Sequence, residues 1–276
     1  MKTALKYILA CGAVGALALG VSSMVWGDDS NGAVPDGTER LVFADEFDTD
    51  GAPDSTKWSF ENGYVRNGEM QYYTQGLNAT CRDGLLIIEA RADSALTGDT
   101  VAPVTSASLI TKGKHVWKYG YVEVRARINA MRGSWPAIWM MPEASAYGAW
   151  PRSGEIDIME HVGYAPRNIH FAAHSERYNH MRAVQKNFVC NAPDAVGAFH
   201  TYGLRWTPER LTWLYDGEEK YTLEKEADAD WTSWPFDNEF YLILNLAIGG
   251  GWGGQEGVDL DALPLRFEID YVRVYQ

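Results

Sequence analysis

Three carboxylates fall within six positions of SGEIDIMEH, residues 153–161: Glu155, Asp157 and Glu160. The residues between them, Ile156, Ile158 and Met159, are apolar. Two carboxyl groups held about 5–5.5 Å apart can open a glycosidic bond with retention, one as nucleophile and one as general acid and then base. A third acid nearby raises at least one pKa by like-charge repulsion and keeps a proton available near neutral pH.

Side chains alternate along a strand, so an unbroken strand puts positions 155, 157 and 159 on one face and turns Glu160 into the core. A buried, unpaired carboxylate is costly. One extra residue repairs the parity. With Met159 absorbed in a β-bulge, Glu160 rejoins the face of Glu155 and Asp157, while Ile156 and Ile158 face the core. The spacing alone is moderately specific, arising by chance in roughly one chain in twenty of this length. The same acids would also suit a solvent-facing strand or, less naturally on a strand, a Ca²⁺ site.

A strand of this kind needs a sheet around it, and the chain reads as strands almost throughout. Residues 121–128, YVEVRARI, alternate polar and apolar as a half-buried strand does. Between Arg210 and Lys225, Asp216-Gly217 separates LTWLY from KYTLE, a hairpin signal. FYLILNLAIGG at 240–250 is nearly all apolar and should be covered on both faces, and FEIDYVRVYQ closes the chain as an alternating strand. Residues 41–276 show no long helical period, repeat or linker. Many short strands between turns predict an all-β fold, a β-sandwich or jelly roll, as one domain.

The first 27 residues read as a signal peptide: Lys2 and Lys6, then ILACGAVGALALGV, then a small residue before Asp28-Asp29. A polar leader, 28–40, follows. Loss of Lys2 and Lys6 takes the formal charge from −13 to −15, with 22 basic residues against 37 acidic. So acidic a chain is a poor ligand for nucleic acid or anionic membranes and suits an exported protein acting on a neutral partner. The eleven Trp point to a binding cleft, since Trp135, Trp139 and Trp150 crowd together. Cys81 and Cys190 make no disulfide framework, and the chain lacks HExxH and a CxxC pair. His170, His174 and His180 read as ordinary polar residues of a strand and its following loop.

SWPAIWMMP (134–142) and AYGAWPRSGEIDIMEHVGY (146–164) strongly resemble glycoside hydrolase family 16, most of all its bacterial laminarinases. NGEMQYYT (67–74), TKGKHVWKYGYVEVRARI (111–128), HSERYNH (174–180) and WPFDNEFYLILNLAIGGGWGGQEGVD (234–259) match as well, so the similarity spans essentially all of 41–276. The resemblance implies a concanavalin-like jelly-roll sandwich with an open concave cleft. It implies retaining endo-hydrolysis of β-1,3-linked glucan, laminarin-type or mixed-linkage, with Glu155 as nucleophile, Asp157 assisting and Glu160 as acid/base. A galactan-cleaving relative of the agarase or carrageenase type, or a non-catalytic glucan-binding module, is the rival reading. Intact acids speak against the module.

A neutral glucan is held by stacking on aromatic faces and by polar side chains that orient its hydroxyls. Trp135, Trp139, Trp150 and Trp252 are the stacking candidates. Asn67, Glu69, Arg152, His161, His174 and Asn245 are the polar ones. No cofactor is expected for catalysis. Family members often bind a structural calcium, and the matching residues are Glu46, the Gly84 carbonyl and Asp270. Gly251 stands where relatives often have Asn, which puts fine subsite contacts in doubt. The expected partner is β-glucan polysaccharide or oligosaccharide, with no nucleic acid, no membrane after signal removal, and a monomeric protein.

Overall fold

The computed structural model describes residues 39–93 and 104–276. The signal peptide at 1–27 and the leader as far as residue 38 lie outside the described residues. The leader's end is corrected by one pairing: Arg40 and Gln276 exchange backbone N–H···O bonds of 2.8 and 2.9 Å, so Arg40 already belongs to the folded unit.

Strands are numbered β1 to β18 in chain order. One sheet has seven, in the order β13 (Lys186–Asn191), β12 (Asn168–His174), β11 (Glu155–Glu160), β10 (Ser134–Pro142), β17 (Phe240–Ile248), β8 (Ser108–Ile110) and β2 (Ser59–Phe60). The other runs β16 (Glu218–Glu224), β15 (Arg210–Tyr215), β14 (Phe199–Trp206), β9 (Gly120–Ile128), β18 (Leu265–Tyr275), β6 (Leu85–Ala92), β7 (Val104–Ser106), β4 (Gln71–Thr74) and β3 (Asn62–Gly63). β1 (Leu41–Asp45) joins it beside β18, and β5 (Ala79–Arg82) beside β6. The helices among the described residues are two single 3-10 turns, His180–Arg182 and Leu260–Ala262.

Alternation builds the core between the sheets. Ile138 and Met140, Ile156, Ile169 and Phe171, and Leu242, Leu244 and Leu246 face inward from the seven-stranded sheet. Val122, Val124, Ala126, Leu204, Phe267, Val272 and Val274 meet them from the other. Each of these side chains larger than alanine contributes about 1.5–3 kcal/mol of burial. β17 is buried at all nine positions, as its unbroken apolar run predicts. Its second face carries Tyr241 and Ile243, which pack with Ala137 and Trp139 in a separate cluster. The predicted hairpin is β15–β16, where Asp216 and Gly217 take φ of 51° and 76°, the left-handed pair that a two-residue hairpin turn needs. Cys81 and Cys190 are buried free thiols.

Candidate active site

β11 carries one residue more than either neighbour. On the β10 side Glu160 pairs with Ala137, Met159 with Ile138 and Asp157 with Trp139. On the β12 side Glu160 pairs with His170 and Asp157 with Ala172. The predicted bulge is therefore present, with a correction to its anatomy. Met159 keeps a partner on β10 and Ile158 is the residue passed over, and both side chains are fully buried in the core. Burying two consecutive side chains on one side restores the parity, and Glu155, Asp157 and Glu160 all line one cleft of about 860 Å³.

Each outer acid is held by an indole. Trp150 Nε1 donates to Glu155 Oε2 at 2.6 Å, and Trp135 Nε1 donates to Glu160 Oε1 at 3.0 Å. His174 Nε2 lies 3.2 Å from Asp157 Oδ2 and 3.7 Å from Glu155 Oε1. Burial first, then the charge of Asp157, pushes Glu155 up to about 8, against the pull of His174 and Trp150. Burial pushes Asp157 up to about 7. Glu160 is also raised, driven by burial and then by Asp157 and Glu155. The three acids interact and titrate as one unit that keeps a proton through neutrality.

Glu155, Asp157 and His174 offer ligand atoms within 4.8 Å of one another. That geometry is the acid cluster itself, with Trp150 donating to Glu155 and His174 lying beside Asp157 and Glu155.

A buried polar network fixes the cleft floor. Trp139 Nε1 donates to Asn245 Oδ1 at 2.8 Å, and Asn245 Nδ2 donates to the Tyr73 hydroxyl at 3.0 Å. Tyr73 donates to Glu69 Oε2 at 3.3 Å, while Gln71 Nε2 reaches the same oxygen at 2.7 Å and Asn67 Nδ2 reaches Oε1 at 3.1 Å. Burial raises the Glu69 pKa. The Gly-rich loop closes one wall. Trp252 packs edge-on against Trp135 at 5.3 Å and against His170 at 4.8 Å. A Cβ on Gly253 would sit 2.9 Å from that of Trp135, so glycine lets the two segments touch. Gly251 N–H donates to the Asn67 carbonyl at 2.9 Å.

Most of the residues expected from sequence converge here: Asn67, Glu69, Trp135, Trp139, Trp150, His174, Asn245 and Trp252 line the cleft. Three expectations need correcting. Arg152 does not line the cleft and pairs with Glu176 at 3.2 Å, its side chain 57% exposed. His161 is fully buried and outside the cleft, because it follows Glu160 and turns to the other face; burial drives its pKa down to about 4. Trp139 retains only 9% of its surface, with the Arg66 guanidinium 4.9 Å from its ring, so it is floor rather than an open stacking face.

Glu46 directly follows β1, Gly84 directly precedes β6 and Asp270 lies in β18, and both carboxylates pair with arginines. Arg273 binds Glu46 through two hydrogen bonds of 2.8 and 2.9 Å, and Arg125 pairs with Asp270. Glu46 thus has both oxygens bound to an arginine and Asp270 has one, so in this arrangement Glu46 does not fit a calcium ion, which takes free anionic oxygens. Sequence reasoning missed Arg66 and Met181 and took His180 for an ordinary polar loop residue, yet all three reach the cleft from segments distant in sequence. His170 was noticed only as a polar strand residue, and its register position opposite Glu160 gives it a place in the wall.

The profile of the family described as Glycosyl hydrolases family 16 matches residues 55–273. A protein named Beta-glucanase from Rhodothermus marinus is 46% identical over 247 residues, covering 86% of this chain and 85% of that protein. The X-ray structure of the laminarinase from Rhodothermus marinus superimposes with a TM-score of 0.82 at 45% identity, covering 86% of this chain and 97% of that one. A Glu-to-Ser mutant of SCLam, a non-specific endo-β-1,3(4)-glucanase, superimposes with a TM-score of 0.83 at 44% identity, covering 88% of this chain and 96% of that one. Its crystals present a 1,3-β-D-cellobiosyl-glucose at the active site.

Proposed function

The chain belongs to glycosyl hydrolase family 16, and from that membership we propose that it is an endo-acting β-1,3(4)-glucanase of the laminarinase type that retains anomeric configuration. The observation that carries this reading is the bulged strand, which sets Glu155 and Glu160 on the same cleft face, each under an indole N–H. Glu155 attacks the anomeric carbon while Glu160 protonates the departing glycosidic oxygen. The bond to the leaving sugar breaks as the bond to Glu155 forms. Glu160, now a carboxylate, takes a proton from water, which displaces Glu155 with a second inversion.

Asp157 and His174 orient Glu155, and the charge of Asp157 rises or falls with the proton that the acids share. Trp135, Trp150 and Trp252 supply the faces on which pyranose rings stack, and Asn67, Glu69 and Asn245 the polar edges. The chemistry draws on protein carboxylates and needs no cofactor. The signal-like residues 1–27 support an exported protein, which we read as a monomer acting on β-glucan.

Reducing-sugar release from laminarin, lichenan and agarose, with Glu155→Gln in parallel, tests the reading. Laminarin should be cut, lichenan to a lesser extent, and the variant should lose roughly three orders of magnitude or more. Activity on agarose without activity on laminarin would overturn the substrate. An undiminished Glu155→Gln would overturn the mechanism.

A further inference from the structure

Among the described tryptophans, Trp231 is the one left substantially open, with 39% of its surface exposed. It is not a stray side chain. Its ring stacks on Tyr147, centroids 5.3 Å apart and planes 18° from parallel. A large apolar ring left in water on a rigid partner is an informative exposure.

The stack lies beside the catalytic end of the cleft. Tyr147 is three positions from Trp150, so their Cα atoms are at most about 11 Å apart. Tyr147 N–H donates to Ser153 Oγ at 3.0 Å, two residues before Glu155. The loop carrying Trp231 is tied to the loop after β12: Arg177 N–H donates to the Thr232 carbonyl at 2.7 Å, and the Tyr178 hydroxyl to Glu226 at 2.8 Å. That second loop places His180 against Trp150, at 4.9 Å. Neither Tyr147 nor Trp231 lines the cleft itself. Asp230, next to Trp231 in sequence, lies 4.0 Å from Arg177, and the two side chains are 57% and 44% exposed.

We propose that Trp231, braced by Tyr147, is a glucan-binding platform outside the cleft, which takes the sugars of a long chain that has passed Trp150. The proposal rests on the glucanase reading. A flat exposed indole, with an exposed cation and carboxylate on the loops that carry it, suits a neutral pyranose: the face covers the C–H surface and charged groups bond to hydroxyls. Continuity with the loop that carries Trp150 makes the occupant a continuing glucan chain rather than a protein.

The test compares long and short substrates. In a Glu155→Gln background, migration through laminarin-containing gels measures the Kd for the polymer without cleavage. Adding Trp231→Ala should weaken that Kd by about 3- to 10-fold, and Trp231→Phe should restore most of it. In the active protein, Trp231→Ala should raise KM for laminarin by a similar factor while kcat/KM on laminaritriose and laminaritetraose stays within about twofold. An unchanged Kd for laminarin, or equal losses on polymer and short oligosaccharides, would overturn the platform and leave the stack a brace between loops. Wild-type protein inert toward laminarin would instead sink the glucanase reading, and this one with it.

Discussion

Trp150 Nε1 donates to Glu155 Oε2 at 2.6 Å, and the contact is repeated at the other end of the acid row by Trp135 and Glu160 at 3.0 Å. An N–H donated to a carboxylate stabilises its ionised form and lowers its pKa. The two indoles therefore oppose the burial that pushes both acids up. They do so on opposite limbs of the pH profile, because one acid must be ionised to attack and the other protonated to assist departure. Trp150→Phe should move the acid limb of kcat/KM to higher pH. Trp135→Phe should move the basic limb to higher pH. Each shift should be about half a unit to one unit. A profile in which both variants move the same limb would refute the assignment.

Glu160 acts on the leaving group, so its removal should matter in proportion to how much help the leaving group needs. Glu160→Gln should lower kcat/KM on laminarin by about 10³-fold, within the range general acid catalysis supplies. An aryl β-laminaribioside with a nitrophenolate leaving group should be cleaved to the glycosyl-enzyme with a much smaller loss. Accumulation of that covalent intermediate, seen by mass spectrometry, is the confirming signal. Equal losses on both substrates would make Glu160 a structural residue.

Three acids drawn from water, Asp157 buried and Glu155 and Glu160 partly so, are a burden on the fold, with a sign that follows from the direction of their pKa shifts. Glu155 ionises near 4.5 in an ordinary environment and is pushed up to about 8 here. Below about 4.5 it is protonated folded and unfolded, so it imposes no penalty. Between 4.5 and 8 the unfolded chain releases the proton more readily, so stability falls as pH rises through that window. Glu155→Gln removes the penalty. Its thermal midpoint should match wild type at pH 4 and exceed it at pH 8 by several degrees, on the order of 2 kcal/mol. A difference independent of pH would show that Glu155 bears no raised pKa.

Much of this was legible in the residues because the governing rules are local. Alternation located β9 and β18, the apolar run located β17, and the cost of burying Glu160 required a bulge. Applied one residue further, the same parity turns His161 inward; its closeness to Glu160 in sequence hid that. Arg152 was misplaced for a related reason, since the loop around cis Trp150-Pro151 has no period to say which way its side chains point. Arg66 and His180 reach the cleft through loops brought together by the order of the sheets, and no local pattern encodes that order. Calcium was inferred from the matching acids alone, without the arginines that β9 and β18 place beside them.

The bulge makes the sharpest prediction, because parity has two solutions. With Met159 present, the acids share a face only if the strand buries Ile158 and Met159 together. With Met159 deleted, the sequence reads Glu-Ile-Asp-Ile-Glu, and simple alternation puts all three acids on the cleft face without a bulge. The deletion variant should therefore keep measurable laminarin hydrolysis, reduced through altered spacing and orientation. It should lose stability through the missing core side chain, about 2–5 kcal/mol by analogy with truncation of a buried methionine. Met159→Ala should lose comparable stability while keeping the bulge and nearly all activity. A deletion variant that folds yet is as inactive as Glu155→Gln would show that the bulge sets the working geometry of the acids and does more than correct which way they face.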